Sequence, residues 1–190
     1  MVETFLQSVI AQPPVILTRR LRPFSVGHFT LLRALDSPFA LGGTVHLQDA
    51  LLALEICSRS FEDARAWLHE ATLESVARES AEQGKRSGPV DLHDLVGRID
   101  KYMRLYTSVP KFWRSGQESQ SKLPESLILV SVLMGKCGMS ESAAWSCPYG
   151  MAVWYVTAAN ERGEAIVSED EQYVIDNYDA VINRLKGAKN

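Results

Sequence analysis

Residues 91–106 read "DLHDLVGRIDKYMRLY", and their spacing decides the fold. Leu92, Leu95, Val96, Ile99, Tyr102, Met103 and Tyr106 recur three and four residues apart. They form one stripe on a helix of about 3.6 residues per turn, whereas a half-buried strand would alternate. Asp91 stands just before the stripe, where a carboxylate can accept from the free amides of the first turn.

The same period extends outward in both directions. "FSVGHFTLLRALD" (24–36) predicts a short helix with Ser25 as N-cap. "HLQDALLALEICS" (46–58) is apolar except for Gln48, Asp49 and Glu55, which share one narrow polar side, so it predicts a mostly buried helix. "SFEDARAWLHEATLESVARESAEQGKR" (60–86) opens acidically at Ser60 and Asp63, carries the favourable Glu74–Arg78 pair and stops at Gly84. In "PESLILVSVLMGK" (124–136) the β-branched Ile128, Val130 and Val132 leave a strand open; Pro124, placed at the first helical position, and the length favour helix. Ser168 and Glu171 form a capping box ahead of a last apolar face, Ile175, Tyr178, Val181, Ile182 and Leu185. Loops fall at "AQPPV" (11–15), "DSPFALGGT" (36–44), "GKRSGP" (84–89) and the polar stretch 109–124. The expectation is an all-α fold, an orthogonal bundle of about seven to eight helices. It is organised as 1–108 and 124–190 joined by a linker or mobile loop at 109–123, or as one compact domain overall.

Composition narrows the function. The chain has 190 residues, 46% hydrophobic and 23% charged, which is globular usage. Its net charge of −3 lacks the basic balance of a nucleic-acid or anionic-membrane binder. Cys57, Cys137 and Cys147 are odd in number and lack framework spacing, as in a reduced compartment. "MVETFLQSVIAQPP" has no basic n-region and no long apolar run, so it is no signal peptide. The longest apolar run, Leu127 to Met134, is broken by Ser131 and is too short for a bilayer span. A soluble, cytoplasmic chain is expected.

Catalytic motifs are sparse. "LGGTV" has no lysine for a phosphate loop and "MGKCG" lacks the upstream glycine. Rossmann glycines and a G-x-S-x-G elbow are absent. Cys137 and Cys147 are ten apart and His28, His46, His69 and His93 are scattered, so buried thiols and satisfied imidazoles outweigh a metal site. The acids of 91–100 suit a helix start and a solvated face better than an acid–base pair. No enzyme activity, cofactor or metal is expected. Arg19, Arg20 and Arg22 in "TRRLRPF" could hold a phosphate or a partner's carboxylates. The plainer reading is a solvated cluster, or one paired internally to Asp36 or Asp49. Lys111, Phe112, Trp113 and Arg114 interleave basic and aromatic groups, a weak single-strand signal.

"MSESAAWSCPYGMAVWYVTAANERG" (139–163) has the punctuation of a helix-turn-helix: Ser140 as N-cap, a short helix, a break at Cys147-Pro148 and a second helix from Tyr149 to Arg162. A recognition helix must touch phosphates and base edges. This one offers Thr157, Asn160 and a terminal arginine, within a region (137–190) of four basic and eight acidic residues. It reads better as core, with the break folding two apolar helices together, or as core that leaves aromatic surface for a partner.

Three blocks, "LRPFSVGHFTLLRALDSPF" (21–39), "LQDALLALEICSRSFEDARAWL" (47–68) and "GMSESAAWSCPYGMAVWYVTAANERG" (138–163), resemble small phage or prophage proteins of the tail-assembly-chaperone kind. The likeness spans roughly residues 16–70 and 123–163 and rests on packing motifs. The chain departs from it at Ser146-Cys147, ahead of Pro148, where an acid and an apolar residue are expected. The resemblance implies a non-enzymatic protein that holds helices of a tape-measure-like partner in the host cytoplasm, with homo-oligomerisation or virion association open. Trp145, Tyr149, Trp154 and Tyr155, with Arg19, Arg20 and Arg22, are the expected partner contacts. The alternatives are a structural virion protein such as a head-tail connector or adaptor, and a helix-turn-helix DNA-binding regulator.

Overall fold

The computed structural model describes residues 11–70, 78, 91–107 and 123–161. Among them the chain is an all-α, multi-helix fold with one small hairpin. The hairpin pairs β1 (Val15–Ile16) with β2 (Arg19–Arg20), antiparallel, Val15 opposite Arg20 and Ile16 opposite Arg19. Leu17 takes a φ of 53° at its turn. Two-residue strands are too short to leave a period-two pattern, which is why no strand was expected here.

Eight helices follow: α1 (Val26–Ala34), α2 (Pro38–Leu41), α3 (Leu47–Ser58), α4 (Phe61–Glu70), α5 (Leu92–Thr107), α6 (Glu125–Gly135), α7 (Glu141–Ser146) and α8 (Tyr149–Glu161). The expected caps form where the side-chain chemistry required them. Ser25 Oγ accepts from the His28 amide at 3.2 Å, Asp91 Oδ1 from His93 at 2.9 Å and Ser140 Oγ from Ala143 at 3.3 Å. Two boundaries differ from expectation. Residues 36–44 hold the four-residue α2 instead of an unbroken loop, because Pro38 is preset for a first helical position. Pro124 is the N-cap of α6, one residue outside the helix. The strand alternative for 124–136 is thereby excluded. Residues 71–77 and 79–86 with Glu74 and Gly84, the stretch 109–122 with Lys111–Arg114, and the capping box and face of 168–185 lie outside the described residues.

The α5 stripe packs as its spacing implies. Leu95, Ile99, Tyr102, Met103 and Tyr106 are buried, and each large side chain so removed from water contributes about 1.5–3 kcal/mol. Both phenols keep a partner: Tyr102 donates to the Arg22 carbonyl at 2.7 Å and Tyr106 to that of Ala11 at 3.0 Å. These bonds pin the extended segment 11–24 across α5, with Leu21 and Phe24 buried beneath it. α3 packs on α1, α4 and α5, and α8 packs on α6, α5 and α1. One buried cluster therefore joins Leu54, Ile99 and Tyr102 to Leu129, Leu133, Ala144 and Ala152, from both sides of residues 109–122.

Candidate partner-binding groove

The break between α7 and α8 is zipped onto the start of α1. Ser25 and Pro148 form an antiparallel bridge, in which Val26 N–H donates to the Cys147 carbonyl at 3.0 Å and Tyr149 N–H to that of Phe24 at 2.9 Å. α7 packs chiefly on α6 and α1 and α8 chiefly on α6 and α5, so the expected folding of one onto the other gives way to a shared platform on α6. A DNA-reading helix presents its N-terminal residues to the bases. Here that end is tied down and Tyr149 is 9% exposed.

The expected contact residues are dispersed by this packing. Tyr149 lies in the core, its ring 5.0 Å from Phe29 and its hydroxyl donating to Glu125 Oε1 at 3.0 Å. Burial, then the facing Glu125 carboxylate, push that phenol's pKa upward. Trp145 is half-buried and stacks on Phe61 at 5.2 Å, wedging α7 against α4. Trp154 and Tyr155 are half-buried on α8. Arg20 and Arg22 are exposed. Arg19 pairs with neither Asp36 nor Asp49; its guanidinium meets Glu55 Oε1 at 2.5 Å. Glu55, expected on a polar side, is fully buried, and Arg59 bonds its other carboxylate oxygen as well as its carbonyl, the latter at 2.8 Å. A carboxylate can occupy a core position when two guanidiniums neutralise it there. The Arg59 guanidinium also lies 4.5 Å over the Trp67 ring.

Several chemistry-bearing side chains serve burial and pairing. Cys57 and Cys147 are buried, and desolvation pushes their thiols up to about 12 and about 11. Asp94 and Asp100 pair along α5 with Arg98 (3.8 Å) and Arg104 (2.8 Å). Asp49 accepts from the His46 amide at 2.8 Å. Among the described residues no group of three or more His, Cys, Asp or Glu could hold a metal ion. No helix among them is long and apolar enough to cross a membrane.

A groove of about 400 Å³ lies between α2 with its following loop and α5. Pro38, Phe39, Gly42 and Val45 form one wall; His93, Val96, Gly97 and Asp100 form the other. Gly42 and Gly43, at φ 79° and 123°, let the wall turn sharply back toward α3. Gly97 on the α5 side faces open space, since a Cβ built there meets nothing within 4 Å. Leu41, next to Gly42 in the chain, is 52% exposed, and Leu35 and Leu47 in the same segment are exposed too. Apolar side chains are also uncovered on the outer face of α6: Leu127, Ile128 and Met134, with Leu123 just before it. Neither surface was anticipated. Residues 36–44 read as a loop, and the apolar run of α6 gives no sign of which side faces water. Gly97 within an otherwise regular stripe was the one available signal. No family model, curated protein or solved structure matches the chain, so its class is defined by this architecture, an all-α multi-helix protein with a mainly apolar surface groove.

Proposed function

We propose that the chain is a non-enzymatic phage tail assembly protein that holds an amphipathic helix of a tape-measure-like partner in the α2–α5 groove, working in the host cytoplasm. The observation that carries this reading is the groove itself, with one apolar wall, a mixed wall on α5 and open space at Gly97. Recognition of a partner helix places apolar anchors at i, i+3, i+4 and i+7 into such a trough. Phe39, Val45 and Val96 supply the complementary wall. The sequence resemblance supplies the identity of the partner.

The test is co-expression of the tagged chain with a tail tape-measure protein encoded beside it, followed by affinity capture and sizing. The wild-type and Gly97→Ala chains are expected to retain the partner. Gly97→Trp, which fills the groove from its open side, is expected to lose at least about tenfold in retention, or 1.4 kcal/mol. Retention by Gly97→Trp equal to wild type contradicts the groove as the docking site.

The exposed apolar face of α6 favours one second reading, a structural virion protein that assembles with its own copies. A discrete ring by electron microscopy, without capture of the tape-measure protein, supports that reading instead.

A further inference from the structure

The N-terminus of α1 is capped in an unusual way. In the common capping box the third helical residue is Glu or Gln, whose oxygen accepts from the N-cap amide at any pH near neutrality. Here that residue is His28. Its Nδ1 accepts the Ser25 N–H at 3.2 Å, while Ser25 Oγ accepts the His28 N–H at 3.2 Å. The other ring nitrogen, Nε2, lies 3.0 Å from the Arg59 carbonyl, which can only accept. The pair of bonds therefore requires the neutral tautomer with its proton on Nε2. A second proton on Nδ1 turns the acceptor into a donor aimed at an amide hydrogen. The ring is buried and stacks beside Phe24, with centroids 6.3 Å apart.

The cap is also where α8 is fastened. The residues flanking Ser25 make the bridge bonds, Val26 N–H to Cys147 and Phe24 carbonyl to Tyr149 N–H. Loss of the cap therefore bears directly on the joint between α1 and the α7–α8 break. From this geometry we infer that His28 is an acid-sensitive latch. When its Nδ1 is free the joint is closed; when protonated, the Ser25 cap breaks and the joint opens while the α3–α5 core stays folded.

The surroundings bias the latch toward the neutral form. Desolvation by burial lowers the His28 pKa below its ordinary 6.5, and the nearby Arg22 cation acts in the same direction. Main-chain bonding at Arg59 and Pro23 opposes burial more weakly, though each outweighs the Arg22 contribution. The positive end of the α1 dipole also disfavours a cation in the first turn. Of the other titratable groups in the surrounding core, Cys57, Cys147, Tyr102 and Tyr149 have pKa values raised by burial and remain neutral through this range. Glu55 is engaged by Arg19 and Arg59. The folded pKa is lower than that of the opened ring. Closure is thus complete above about pH 6.5 and is lost as pH falls through 6.5 toward the folded value.

The test is amide hydrogen exchange on the full chain between pH 8 and pH 5, corrected for intrinsic rates, alongside NMR titration of the histidine rings. Exchange in Val26–Phe29 and in Tyr149–Ala152 is expected to accelerate at least about tenfold, with a midpoint matching that of the His28 ring, while Leu95–Tyr106 stays protected. His28→Gln, whose amide oxygen can accept from Ser25 as in the common box, is expected to abolish the response. The latch is overturned if the His28 ring takes its proton with the joint still protected, or if α5 opens at the same pH. It is also overturned if His28→Gln responds as wild type does. The ring titration needs no variant, so a misfolded His28→Gln leaves the inference testable.

Discussion

Gly27→Ala is expected to destabilise the protein by about 2 kcal/mol, and Gly97→Ala to stabilise it by up to about 1 kcal/mol. Both glycines sit in helices, and propensity alone gives both substitutions the same favourable sign. Packing separates them. A Cβ on Gly27 falls 2.3 Å from Phe61 Cδ2 and 2.5 Å from its Cγ. The ring cannot step aside, since Trp145 stacks on it and the Arg65 guanidinium lies 5.8 Å from its centroid on α4. Inserting a methyl group into such a contact costs about 1–3 kcal/mol, and the helix gain returns only part of that. For a chain of this length the melting temperature should fall by about 4–8 °C. Thermal unfolding of the two variants measures the contrast. A double-mutant cycle of Gly27→Ala with Phe61→Ala should show strong coupling, because the smaller side chain removes the clash. A stabilised Gly27→Ala protein would mean that α1 and α4 do not approach this closely.

Arg59→Ala is expected to cost about 3–5 kcal/mol, the usual consequence of taking one partner from a buried charge. Glu55 has no side-chain exposure, whereas Arg59 retains 24% and Arg19 38%. Removing the Arg59 guanidinium takes from a buried anion the cation on its second oxygen, with Arg19 still beside the first. The same substitution deletes the Arg59 bond to the Glu55 carbonyl at the end of α3 and the stacking on Trp67, worth about 0.5–2 kcal/mol. Glu55→Met is expected to cost less, because the two arginines it leaves behind can turn into water. Urea unfolding of both variants decides the matter. A larger loss for Glu55→Met than for Arg59→Ala would contradict the picture of a carboxylate held in the core by its cations.

Much of the helical framework was legible because it depends on local chemistry. The α5 stripe, the Ser25, Asp91 and Ser140 caps and the break at Pro148 each follow from spacing or from a side-chain oxygen near free amides. The features that define the candidate site are non-local. Glu55 reads as a surface residue until Arg19, far away in the chain, is seen to reach it. Gly27 and Gly97 look alike until Phe61 and the empty groove distinguish them. Tyr149 reads as interface aromatic surface, yet the bridge at Ser25 draws it into the core. The α6 run is apolar apart from Glu125, Ser126 and Ser131, so its packing against α1, α7 and α8 tells which apolar residues remain outside.

The central claim is that a partner helix occupies the α2–α5 groove. Its most direct measurement is the hydrogen-exchange footprint of the chain with and without a bound tape-measure fragment obtained by co-expression. New protection is expected in residues 38–45 and 93–100, the two walls of the groove, and is expected to vanish with Gly97→Trp. Protection confined to the outer face of α6 or to residues 145–155, with the groove walls exchanging as in the free chain, would contradict it.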